Sequence, residues 1–176
     1  MSRVPTLTVD SAPAASRPPL QKIVESSPGG RLFNLHAQMA NSPAVLAAYA
    51  ALRAALAEQS SFDPKAGAAL TLATAAAVGN HYMIAITSRL AQMSGWAQDQ
   101  VAALRAGTPT GNARIDVLAA LVREAATHSG GVSDATWKAA QQAGWSGAQL
   151  TDAFAHVGAT VFTAYFLNFA QTDPDV

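Results

Sequence analysis

Cysteine is missing from all 176 residues. Its absence excludes disulfides, thiolate metal sites and thiol nucleophiles, whatever the fold. Charge is also scarce, at 12% of residues against the roughly 25% usual for soluble domains. The formal net charge of +0 and a pI near 6.9 argue against a nucleic-acid surface or electrostatic recruitment to a membrane. No stretch supplies the roughly 20 uninterrupted apolar residues that a membrane span requires. Residues Met1 to Pro19 mix Ser, Pro, Ala and Thr with two arginines and have neither a signal peptide's apolar run nor a transit helix's character. The expectation is a cytoplasmic, soluble protein. Phosphate loops are lacking too. Gly29-Gly30 and Gly130-Gly131 are the adjacent glycines, and neither follows a strand signal to open a helix.

Apolar residues, many of them alanines, make up 50% of the chain. With so few charges to cover it, some surface is expected to be buried between subunits; the alternative is an alanine-rich, mildly polar monomer surface. β-branched residues never alternate long enough for a sheet, whereas helix punctuation is frequent. Ser42-Pro43 and Asp63-Pro64 each put a capping side chain before a proline at the first helical position. Ser133 opens another helix that Gly144 closes, and Ser146 with Gln149 forms a capping box. Ile115, Leu118, Leu121, Val122 and Ala125 mark one buried helical face. Leu150, Phe154, Val157, Val161, Tyr165 and Phe169 predict another. The fold class is all-α. Residues 1–18 are expected to be a flexible arm and 19–176 a single domain. Helices are predicted near 20–26, 31–40, 43–59, 64–94 with a break near Gly79, 97–106, 112–128, 133–143 and 146–171.

One internal echo stands out. Gly95-Trp96-Ala97-Gln98-Asp99-Gln100-Val101 parallels Gly144-Trp145-Ser146-Gly147-Ala148-Gln149-Leu150. A duplicated helix-turn-helix unit and chance reuse of a good turn both account for it.

Several segments, in order, resemble a known family. Asn34 to Pro43 is similar to the lead into the helix that precedes its active site, and Asp63-Pro64-Lys65 with the alanine-rich run after it resembles the start of the active-site helix. Met93-Ser94-Gly95-Trp96 and Leu104-Arg105-Ala106-Gly107 resemble the turn and short helix that follow. Val132-Ser133-Asp134, Ala143-Gly144-Trp145-Ser146, Asn168 and Thr172-Asp173-Pro174-Asp175 match the remainder, so that residues 20–176 are covered. The family is the carboxymuconolactone decarboxylase and alkylhydroperoxidase D-like (AhpD-like) family. Its redox members carry Cys-x-x-Cys-x-x-x-His on the active-site helix and an acidic residue upstream. In this register Asn80 and Met83 take the cysteine positions, Thr87 the histidine position and Ala68 the acidic one. The resemblance implies an AhpD-like helical bundle assembled as a homotrimer or hexamer. It also implies small-molecule chemistry, because one branch reduces peroxides through thiols and another decarboxylates a lactone acid without them.

A thiol peroxidase needs a thiolate and a resolving thiol, and neither Asn80 nor Met83 provides one. His81 is the candidate acid or base, with an unperturbed pKa near 6.5 suited to proton transfer. Tyr82 would hold a substrate oxygen and the Asn80 amide would donate to an oxyanion or enolate. Asn80, Met83, Thr87 and His156 are the candidate substrate-binding residues. Consecutive helical residues point about 100° apart, so His81, Tyr82 and Asn80 converge only if the helix breaks at Gly79. The alternative is structural: His81 lines an interface and Tyr82 packs. Thr87 and Ser88 have no adjacent base to activate them, and helical hydroxyls commonly bond back to the preceding turn. His36 and His128 stand alone, and no histidine and carboxylate spacing suggests a metal. Neither a cofactor nor a metal is expected. Three readings follow: a cofactor-free decarboxylase- or isomerase-type enzyme acting on a small organic acid or lactone, a catalytically silent oligomeric binding or scaffold protein, and a peroxide-related role without thiols.

Overall fold

The computed structural model describes residues 2–175. Among them every regular element is helical. The order is α1 (Arg17–Ser26), a 3-10 turn (Pro28–Gly30), α2 (Asn34–Met39), α3 (Pro43–Gln59), α4 (Pro64–Val78), α5 (His81–Met93), α6 (Gln98–Ala106), α7 (Ala113–Thr127), α8 (Asp134–Gln142) and α9 (Gly147–Ala170). The long segment predicted from 64 to 94 breaks at Gly79, whose φ of 75° is left-handed and ends α4. The helices group into two compact units by contact. One holds the residues up to Ala55 with those from Tyr165 onward, and the other holds Leu56–Ala164.

The second unit contains a three-helix repeat. Helices α4 and α7 are both 15 residues long, and each starts on a side-chain cap. Asp63 Oδ1 accepts from the Ala66 amide at 2.7 Å and Asn112 Oδ1 from the Ile115 amide at 3.3 Å. After Gly95 (φ 91°) and Gly144 (φ 87°) a tryptophan returns to the start of the repeat. Trp96 Nε1 donates to Lys65 O at 2.8 Å and Trp145 Nε1 to Arg114 O at 2.9 Å. A cation covers each ring, Lys65 at 4.8 Å and Arg114 at 3.9 Å. Gln100 and Gln149 each accept from the amide at the following helix start, Ala97 and Ser146 respectively. The echo in the sequence is thus a repeat of α4–α6 in α7–α9, with the same tertiary bonds made twice. The copies differ between their first two helices: only Gly79 and Asn80 join α4 to α5, while a longer loop joins α7 to α8.

Packing inside this unit centres on α4 and α7. Ala66, Ala69, Leu70, Leu72 and Ala73 of α4 share a buried cluster with Ile115, Leu118, Leu121 and Val122 of α7. The face of α9 differs from expectation. Leu150 and Val157 are buried, but Phe154, Tyr165 and Phe169 are 60%, 58% and 73% exposed. The buried side is instead made of Ala153, His156, Thr160, Thr163, Ala164 and Leu167. Both sides of the helix carry apolar residues, so periodicity alone does not say which turns inward. Small side chains allow the closer approach and take the core. Helix α9 has the length and composition of a membrane span, yet half of it is buried inside the protein, and it serves as a core helix.

In the first unit, the segment expected to be a flexible arm makes defined bonds. The Arg3 amide donates to Ala170 O at 2.8 Å, the Leu7 amide to Ala37 O at 3.2 Å and Asn41 Nδ2 to Pro5 O at 2.7 Å. The tail is tied in as well. Thr172 Oγ1 donates to Gln38 Oε1 at 2.6 Å, and Asp175 accepts from the Asn34 amide at 2.9 Å and from the Arg31 guanidinium. His36 shares a 3.0 Å hydrogen bond with the Tyr49 hydroxyl and meets Phe33 edge-on. Burial and the Arg53 charge push its pKa down to about 4, against the opposing pull of Asp175. The fold therefore holds His36 neutral, while the unfolded chain binds a proton near pH 6.5. Stability from this group is complete above pH 6.5 and is lost as pH falls toward about 4, by on the order of 3 kcal/mol. Urea unfolding of the wild type and His36→Gln at pH 7 and pH 4.5 should show the wild-type advantage shrinking at the lower pH. An advantage independent of pH would rule this out.

Candidate functional site

The segment after Gly79 begins α5, and its first polar side chain does a structural job. Asn80 is the N-cap, and its Oδ1 accepts from the Met83 amide at 2.8 Å. Its Nδ2 donates to Ala164 O at 3.4 Å, which fastens the start of α5 to α9. One turn on, Met83 is buried, and its carbonyl accepts from Thr87 Oγ1 at 2.7 Å. Asn80, Met83 and Thr87 therefore share one buried face of the helix. The break at Gly79 does not bring His81 and Tyr82 onto that face. His81 is exposed in the first turn, whereas Tyr82 is buried. His81 and Ser88 are two turns apart and so lie on a common side of α5. Ser88 Oγ is shielded from solvent and has no hydrogen-bond partner among the described residues. Ala68 is half-buried on α4, and its methyl has no polar chemistry to offer.

His156, on α9, belongs to a different group of side chains. Its Nε2 is 3.1 Å from Ser60 Oγ, and Ser60 Oγ is 3.3 Å from Asp152 Oδ2. Asp152 also accepts from the Ser61 amide at 2.6 Å and from Ser61 Oγ at 2.8 Å. Burial alone would raise the Asp152 pKa. The donors on Ser61 and Ser60, with the nearby His156, outweigh it and hold the carboxyl below its usual range. The imidazole packs edge-on against Phe62 and lies on Gly67, where a Cβ would come within 3.0 Å of His156 Cε1. A glycine inside α4 costs roughly 0.5–1 kcal/mol relative to alanine, and here it makes room for the ring. The cluster joins Ser, His and Asp, but Asp152 contacts the serines rather than orienting the imidazole as a nucleophilic triad requires. The Ser61 and Phe62 amides are also taken, by Asp152 and by Ser60 Oγ, so they are unavailable to an oxyanion.

Sequence reasoning singled out His156 and missed Ser60, Ser61 and Asp152. The one readable signal was the i, i+4 spacing of Asp152 and His156, which puts both on one side of a helix. The serines lie about 90 positions earlier in the chain, and nothing local announces that contact.

Asn80 can be tested as a cap. Asn80→Ala should lower stability by about 1 kcal/mol, and Asn80→Asp, which keeps the acceptor for Met83 but turns a carboxylate oxygen toward Ala164 O in a buried place, should fail to restore it in full. Thermal unfolding of the two variants would decide this. Equal stability of Asn80→Ala and wild type would remove the structural role.

No family model matches the chain, and no curated protein matches it by sequence. Solved structures do share its fold. An uncharacterized peroxidase-related protein with an alkylhydroperoxidase AhpD core, from Ralstonia eutropha JMP134, is 16% identical over 99% of this chain and 92% of its own, with a TM-score of 0.83. The debrominase Bmp8, an alanine variant solved with 2,3,4-tribromopyrrole, is 14% identical over 99% of this chain and 91% of its own, with a TM-score of 0.81. An uncharacterized peroxidase-related protein from Silicibacter sp. TM1040 is 13% identical over 99% and 92%, also with a TM-score of 0.81. The all-α, AhpD-like fold implied by the sequence is thereby established.

Proposed function

We propose that this chain is a thiol-free member of the carboxymuconolactone decarboxylase and AhpD-like family that binds a small organic acid or lactone. Any chemistry it performs is cofactor-free proton transfer. The observation that carries this reading is the state of the redox positions on an otherwise intact scaffold. Asn80, Met83 and Thr87 hold their own helix together, and no sulfur nucleophile exists anywhere in the chain. A debrominase on the same fold, solved with a small brominated pyrrole, makes compact ring molecules a reasonable ligand class. In this reading His81, exposed at the start of α5, exchanges the proton. Tyr82, Met83 and Thr87 are buried beneath it and, with the Asn80 cap, hold the helix that presents it, while His156 stays in its separate cluster with Ser60 and Asp152. The exposure of Phe154, Tyr165, Phe169 and Met93 supports assembly into a homotrimer or hexamer, since large apolar side chains left open to solvent are commonly covered at protein interfaces.

A second reading is a silent binding or scaffold protein. It is favoured by the Asn80 amide oxygen and Thr87 hydroxyl, which are already engaged in capping and back-bonding. The two readings part on turnover. A panel of small lactones and organic acids should give saturable turnover with at least one member. His81→Ala, a change at an exposed position, should lower the rate by about 10²-fold or more without shifting the unfolding temperature. Saturable binding with no turnover would leave the second reading. Turnover unaffected by His81→Ala would overturn the role given to that residue.

A further inference from the structure

Helices α6 and α7 and the loop between them enclose a cleft of about 350 Å³, lined by Leu104, Gly107, Thr108, Pro109, Asp116, Ala119, Ala120 and Arg123. That volume falls within the range of small-molecule sites. Its floor is one side of α7, with Asp116 and Arg123 at the two ends and the small Ala119 and Ala120 between them. Two helical turns separate the charged residues, roughly 10 Å along the axis.

Arg123 is held from behind. Its Nη1 donates to the carbonyls of Leu104 at 3.2 Å and Ala73 at 3.4 Å, which fixes the plane of the guanidinium. Gly107 lies close over the guanidinium, where a Cβ would stand 2.8 Å from Nε and 3.0 Å from both Cζ and Nη2. Only glycine leaves room for the group in this position, and the left-handed φ of 73° at this helix end suits glycine as well. Among the described residues, Nε and Nη2 donate to no acceptor and no carboxylate pairs with this half-buried cation. At the other end, Asp116 Oδ1 accepts from the Thr110 amide at 2.9 Å and from Thr110 Oγ1 at 2.6 Å. Asp116 Oδ2 receives no hydrogen bond from a described residue.

We propose that this cleft is a binding site for a small zwitterion of the ω-amino acid type. The ligand's carboxylate meets the Nε and Nη2 edge of Arg123, a fork suited to bidentate pairing. Its ammonium meets Asp116, and a short methylene chain lies over Ala119 and Ala120. A simple anion would be repelled at the Asp116 end and a simple amine at the Arg123 end, so the pair of charges selects a molecule carrying both. The site is built on helices other than α5 and does not depend on the function proposed above.

Calorimetric titration of the full chain with ω-amino acids from β-alanine to 8-aminooctanoate tests the proposal, with hexanoate and hexylamine as single-charge controls. At least one chain length should bind saturably and about tenfold or more tighter than either control, the equivalent of one added charge contact of about 1.4 kcal/mol. Ala120→Leu, at an exposed wall position, should abolish that binding while the unfolding temperature stays unchanged. Asp116→Asn keeps an acceptor for Thr110 and should erase the preference for the amino acid over hexanoate. No saturable binding by any member of the series, or binding that survives Ala120→Leu, would overturn the proposal.

Discussion

The contact on which the rest depends is the close approach of α4 to α7. Both helices turn alanines toward the shared core, Ala66, Ala69 and Ala73 from one and Ala119 and Ala125 from the other. Short side chains let helix backbones come near each other, and dispersion contacts then accumulate over a long interface. Both tryptophans belong to the same buried cluster. Each leaves a glycine turn, reaches back to a carbonyl near the start of its own repeat and carries a cation on its face. Two equivalent brackets hold the ends of the two central helices.

That arrangement decides what the second helix of each copy can be. After α4 the chain has only Gly79 and Asn80 in which to turn, so α5 starts at once and its first amides need an acceptor. Asn80 supplies it. The place after Gly79 is held by a good capping residue, and Thr87 bonds back within the helix. The turn between the two helices is a firm joint, and His81 stands exposed beside it.

The sequence was legible wherever the controlling physics is local. Asp63-Pro64, Ser133, and Ser146 with Gln149 marked helix starts through caps, and the structure begins helices at those points; Gly79 marked the break, but the capping role of Asn80 after it was not read. The repeated Gly-Trp turn also showed in the sequence, although it took tertiary bonds to distinguish a true repeat from reuse of a turn. What could not be read depends on choices between distant partners. Phe154, Tyr165 and Phe169 have a core-like spacing, but alanines and threonines on the far side of α9 allow tighter packing and take the interior. Ser60 and Ser61 find Asp152 across about 90 residues. The segment before α1 carries little periodicity, and its bonds to Ala170, Ala37 and Asn41 come from backbone and amide groups that composition does not reveal.

The most direct measurement is an amide chemical-shift titration with small lactones and organic acids. If α5 retains a ligand surface without sulfur, the shifts that saturate will concentrate between His81 and Ser88, within the first two turns after Gly79. Shifts that leave this stretch unmoved while saturating elsewhere, or no saturable shifts at all, would contradict the account.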